Sequence, residues 1–107
     1  MEIKVFHRVE EGRPAQDGDR VQIHYVLELD NGTVVDSSHG KRPLDFLLGR
    51  KRNVIDGMHP AVRGMRIGDR RTVRIPPKLG YGDRTMGAIP KKSTLIFHIE
   101  MVGVYPG

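Results

Sequence analysis

The stretch VQIHYVLEL (21–29), followed by Asp30, Asn31 and Gly32 and then by TVVD (33–36), decides the fold class of this chain. Val21, Ile23, Tyr25, Leu27 and Leu29 occupy the odd positions, and the even positions are mostly polar. A repeat of two belongs to a strand with one buried face, and it puts Tyr25 on that face. Asp-Asn-Gly tolerates positive φ and turns the chain back into Thr33, Val34 and Val35. A hairpin over 21–36 is predicted.

Working outward, Arg71, Val73 and Ile75 alternate in the same way after the turn Ile67-Gly68-Asp69. A third alternation runs through Leu95, Phe97, Ile99 and Met101, with Thr94, His98 and Glu100 outward. Ile3 and Val5 suggest a further strand near the start. Gly18-Asp19-Arg20 resembles Gly68-Asp69-Arg70, each leading into a strand, which reads as one turn chemistry used twice and not as a repeat unit. One segment, Asp56 to Met65, has helical spacing: Met58, Ala61, Val62 and Met65 form a narrow apolar stripe. Pro60 is tolerated in its first turn, and Gly64 and Gly68 suit its exit. So short a helix needs packing against the sheet to persist. Residues 37–45 and 76–93 read as irregular. The second stretch is long and rich in Gly and Pro, yet it carries Leu79, Tyr81, Met86 and Ile89, the mark of a functional loop.

The 107 residues suffice for one domain, and 37% hydrophobic content allows a compact core. The chain is therefore expected to be a single domain over 1–107. With no cysteine in the sequence, disulfides, thiolate catalysis and cysteine-based zinc sites are excluded. The opening MEIKVFHRVEEG is charged and alternating, unlike a signal peptide, and no run approaches the ~18 apolar residues of a membrane span. A cytoplasmic monomer is the expectation. The net charge of +5 is spread over Arg50-Lys51-Arg52, Arg70-Arg71 and Lys91-Lys92 with acids between. Basic clusters paired with exposed aromatics or a recognition helix are not visible, so a solvated surface is expected and no specific nucleic-acid partner.

Familiar catalytic constellations are missing. His7, His24, His39, His59 and His98 never fall at metal-ligand spacing and read as independent surface or edge residues, so no metal is expected. Phosphate-cradling glycine motifs are absent, and Ser37 and Ser38 lack a nucleophile-elbow context. Asp36, Asp45 and Asp56 show no pairing signature, and no cofactor is implied. What remains is a set of apolar side chains, Tyr25, Phe97, Met58, Tyr81 and Ile89, that either line a pocket or simply form core.

The ordered phrases VQIHY (21–25), GTVVDSS (32–38), PLDFLLG (43–49), VIDG (54–57), GMRIGD (64–69), Tyr81-Gly82, Ile89-Pro90 and LIF (95–97) resemble the FK506-binding protein family across nearly the whole chain. Each phrase is weak alone; together, in order and at near-family spacing, they are specific. The resemblance implies an α+β fold, an antiparallel sheet of about five strands wrapped around one short helix, in agreement with the pattern reading. It implies peptidyl-prolyl cis/trans isomerisation of proline-containing peptides or unfolded proteins, and binding of FK506- or rapamycin-type macrolides. The implied pocket is lined by Tyr25, Val35, Asp36, Phe46, Val54, Ile55, Met58, Tyr81, Ile89 and Phe97. Of these, Tyr25, Asp36, Phe46, Ile55, Tyr81 and Phe97 would act on the substrate, with the Ile55 N–H and Tyr81 hydroxyl meeting its carbonyls. Each keeps an ordinary alternative: core for Tyr25 and Phe97, a local loop hydrogen bond for Asp36, a pin for the helix in the case of Met58.

Three positions depart from the family. Met58 stands where a floor tryptophan is usual, Val35 where phenylalanine is frequent, and Leu44 where an aromatic is expected. Methionine adapts where tryptophan defines a shape, so a looser pocket with weakened macrolide affinity is expected. The alternative function is a non-catalytic peptide- or partner-binding module on the same scaffold.

Overall fold

A computed structural model describes residues 1–50 and 53–107; Lys51 and Arg52 of the basic run lie outside the described residues. The strand that decided the reading, β2 (Arg20–Leu29), sits near the middle of a six-stranded sheet. The other strands are β1 (Glu2–His7), β3 (Val34–Ser37), β4 (Leu44–Leu47), β5 (Arg70–Ile75) and β6 (Leu95–Tyr105). The order is β1-β5-β6-β2-β3, and β4 pairs with the first part of β2. Every pairing is antiparallel.

The hairpin forms as its sequence dictates. Gly32 has φ +86, and the Thr33 N–H donates to Asn31 Oδ1 at 3.0 Å. Leu29 and Thr33 close the turn with a 2.9 Å backbone bond. The inward residues Val21, Ile23 and Leu27 meet Val73, Ile75, Leu95 and Ile99 in the core. At the far end of β6 the ladder shifts between Gln22 and Ile23. The parity of β6 changes there, so Gly103 and Val104 are both buried.

Two elements differ from the expectation. β4 adds a sixth strand inside a region read as irregular at its start. The helix, α1, runs only over Met58–Val62 and not from Asp56 to Met65. Arg63 already has ψ 134 and Gly64 has φ +82, so the chain leaves the helix one turn early. Met65 still completes the apolar stripe, fully buried, held by its N–H to the Val62 carbonyl at 3.1 Å. In the long loop, a short 3₁₀ turn (Pro77–Leu79) and a Met86–Ile89 bridge give local order.

The twin Gly-Asp-Arg phrases do share one chemistry. Asp19 accepts from the Gln16 N–H at 3.1 Å, and Asp69 accepts from the Arg66 N–H at 3.0 Å, each carboxylate closing the turn three residues back. Both aspartates are buried. Arg13 also grips Asp19 through two nitrogens, at 2.9 and 3.1 Å. That guanidinium, with help from the Gln16 N–H and against the effect of burial, holds the Asp19 carboxyl below its usual range. Among the described residues no helix is long and apolar enough to cross a membrane.

Candidate functional site

The site is assembled where the inward faces of β2, β3 and β6 meet the start of α1. Leu27 on β2 faces Phe97 on β6 and Asp36 on β3. Tyr25, two residues along the same face, therefore lies diagonal to both. Its ring centroid is 5.6 Å from that of Phe97 with a 56° tilt, within the favourable range for an aromatic pair. Its hydroxyl donates to Asp36 Oδ2 at 2.7 Å, and Asp36 Oδ1 accepts from the Ser37 N–H at 2.8 Å. Burial, that hydrogen bond and the negative charge of Asp36 push the Tyr25 hydroxyl well above the ordinary tyrosine value. Tyr25 is thus a neutral donor fixed on a carboxylate.

The opposite wall comes from the approach to α1. The Gly57 N–H donates to the Leu79 carbonyl at 2.8 Å. A Cβ at Gly57 would lie 2.6 Å from Ile75 Cγ2, so glycine is what lets this backbone settle against the core. Met58, 1% exposed, then forms the floor. Among the described residues no acceptor meets the Ile55 N–H, and none bonds the Tyr81 hydroxyl. The loop that carries Tyr81 is tied on both sides, by the Gly82 N–H to Pro77 O at 2.8 Å and the Lys92 N–H to Gly82 O at 2.7 Å.

These residues enclose a cavity of about 120 Å³ lined by Tyr25, Leu27, Asp36, Leu44, Asn53, Val54, Ile55, Met58, Tyr81 and Phe97. Seven of the ten residues expected from the sequence line it. Three do not. Val35 is the extra residue where the β2–β3 ladder slips, between Asp36 opposite Leu27 and Val34 opposite Glu28. Phe46 points inward from β4 but meets His59 edge-on at 5.6 Å and borders a separate depression of about 250 Å³. Ile89 is buried in its own loop, where it exchanges backbone bonds with Met86 at 2.8 and 2.9 Å.

Leu27 joins the lining through strand alternation, a signal the sequence carried, whereas Leu44 joins it from β4, which only its pairing with β2 makes a strand. Asn53 joins it with φ 66, which no spacing rule announces. His59, read as one of several surface or edge histidines, is instead 1% exposed. The Gly49 N–H donates to its Nδ1 at 3.0 Å, which fixes that nitrogen as an acceptor.

A wider depression of about 480 Å³ lies on the outer face of the sheet, among His24, Val26, Thr72, His98 and Phe6. Its lining comes largely from outward-facing strand positions. The smaller cavity has the helix beneath it, aromatic walls and, among the described residues, two donors without an acceptor.

The chain is similar to known proteins over most of its length. A family model described as FKBP-type peptidyl-prolyl cis-trans isomerase matches residues 11–102. FK506-binding protein 2 of Aspergillus fumigatus is 44% identical over 105 residues, covering 95% of this chain and 77% of that protein. FK506-binding protein 4 of Neurospora crassa is 42% identical over 97 residues, and this chain spans only 21% of its length. A solved structure, the crystal structure of AtFKBP13, superposes with a TM-score of 0.83 at 37% identity, covering 94% of this chain and 90% of that one. A six-stranded antiparallel sheet over one short helix, and sequence matches along almost its full length, show that the chain belongs to the FKBP-type peptidyl-prolyl cis-trans isomerase family.

Proposed function

We propose that residues 1–107 form one isomerase domain that rotates X–Pro bonds in peptides and unfolded chains by holding the half-rotated amide in the apolar cavity. Rotation of a peptide bond faces a barrier of roughly 18–20 kcal/mol because it breaks amide resonance. No covalent bond is made or broken, so neither nucleophile nor metal is required. The catalyst has only to bind the twisted amide better than either planar form.

The twisted amide is the less polar state, and a dry wall made of Tyr25, Met58 and Phe97 favours it. Each ~1.4 kcal/mol of such preference is worth about tenfold in rate. The Ile55 N–H and Tyr81 hydroxyl orient the flanking carbonyls. Asp36, already paired with Tyr25, holds that ring in place.

The observation that carries this reading is the cavity itself. A hydrocarbon cavity of ~150 Å³ accepts a benzene ring, so about 120 Å³ suits the five-membered ring of proline. Methionine at 58, where a rigid ring would define the floor, argues against strong macrolide binding. Met58 in place of a rigid ring motivates the second reading, a module that binds prolyl peptides without accelerating them.

A protease-coupled cis/trans assay on Leu-Pro and Phe-Pro peptides separates the two. Acceleration above buffer supports the isomerase. Binding without acceleration leaves the module.

A further inference from the structure

A second depression, about 370 Å³, adjoins the prolyl cavity and shares Tyr25, Asp36 and Leu44 with it. Its remaining wall is Ser37, Ser38, Lys41, Arg42, Pro43 and Asp45. The two depressions are therefore neighbours, and Lys41, Arg42 and Asp45 line only the second.

The charges of the second depression are unequal in their freedom. Asp45 Oδ1 is paired with Arg20 at 2.7 Å, and its Oδ2 accepts from Gln22 at 2.9 Å. Asp36 is held by Tyr25 and the Ser37 N–H. Both carboxylates are thus occupied. Lys41 and Arg42 are exposed, and no described carboxylate pairs with either. Their segment is anchored by the Lys41 N–H to the Ser38 carbonyl at 3.0 Å, and Pro43 limits its exit. Two uncommitted cations on a fixed turn beside the prolyl cavity are a site for an anionic side chain.

Resting on the prolyl-cavity reading, we infer that Lys41 and Arg42 make this domain select prolyl peptides that carry an acidic residue near the proline. Asp36 stands at the junction of the two cavities and repels a carboxylate placed immediately beside the proline. The favoured acidic position is therefore one not adjacent to the proline, further along the chain toward Lys41 and Arg42.

The test is a set of Leu-Pro peptides with Glu, Gln or Lys scanned over the three positions on each side of the dipeptide. Exchange is followed by NMR, which needs no coupling protease. At low salt, Glu at the favoured position should raise kcat/KM by roughly three- to tenfold over Gln, with Lys below Gln. The preference should shrink at molar salt, where the Debye length is about 3 Å. The charge-reversed pair Lys41→Glu with Arg42→Glu should invert the order, with the Lys peptide now turned over faster than the Glu peptide.

Equal turnover of the Glu and Lys peptides by the unaltered protein overturns the inference, as does a preference that survives the reversal. If none of the peptides is accelerated, the isomerase reading fails separately. The same charge order must then appear in peptide dissociation constants from shift titration, or the subsite is refuted as well.

Discussion

Gly57→Ala sets two effects of opposite sign against each other. Gly57 has φ −65 and ψ −17, a conformation any residue adopts. On backbone grounds alanine should therefore stabilise, by about 0.4–1 kcal/mol, through a less disordered unfolded chain. On packing grounds it should not. The new Cβ meets Ile75 Cγ2 at 2.6 Å and both Ile75 Cδ1 and Leu79 Cβ at 3.2 Å. Ile75 is fully buried and laddered to Leu95, so its β-branch methyl has nowhere to swing. Overpacking of this kind costs roughly 1–3 kcal/mol. Packing wins, and the expected net loss is about 1–2 kcal/mol.

For a domain near this size that is a fall in Tm of roughly 4–15 °C by calorimetry. Met58 follows directly in the chain, so the floor of the prolyl cavity should shift and catalysed exchange should weaken as well. Pairing the change with Ile75→Ala removes the obstruction, and the double variant should be more stable than the sum of the two singles predicts, by about 1 kcal/mol. A Gly57→Ala protein as stable as the parent would refute the claim that close backbone approach, and not flexibility, explains this glycine.

Four further outcomes follow from the structure. Phe97→Ala empties a side chain only 5% exposed, and should cost about 3–5 kcal/mol in denaturant unfolding together with most of the activity. Tyr81→Phe should leave stability unchanged and reduce exchange modestly, because it removes a hydroxyl with no described partner. In an ultraviolet titration one tyrosine of the three should remain protonated well past pH 10; Asp36→Asn should bring it down. Because the folded-state value is raised, Tyr25 supports folding below about pH 10, and that support declines as pH rises beyond it. Asp19 works in the opposite sense. Its lowered value supports folding above about pH 4 and is lost on acidification, so Arg13→Ala should flatten the acid limb of the stability curve.

How far the sequence could be read depended on the range of the interactions involved. The 21–36 hairpin was legible because a period of two and an Asn-Gly turn are local signals. β4 was not, since Leu44–Leu47 follows a proline and only its pairing with β2 makes it a strand. The apolar stripe from Met58 to Met65 was correct while the helix under it was too long. Burial specifies which side chains point inward, but Gly64 at φ +82 decides where the helix stops.

At the site, Tyr25 and Phe97 were foreseeable from strand parity. Phe46 was not separable from them, because its contact with His59 depends on how β4 crosses β2. The Tyr25–Asp36 bond joins two strands whose register slips beside it, and no one-dimensional pattern gives that register.

The central claim is that a proline ring enters the cavity between Phe97, Met58 and Tyr81 and turns there. The most direct measurement is NMR of the protein with a Leu-Pro peptide, reading protein shifts and peptide exchange in one sample. Shift changes centred on Tyr25, Ile55, Met58, Tyr81 and Phe97 are expected, with cis/trans exchange faster than in buffer. Changes centred on His24, Thr72 and His98 on the outer face, or exchange no faster than in buffer, would contradict it.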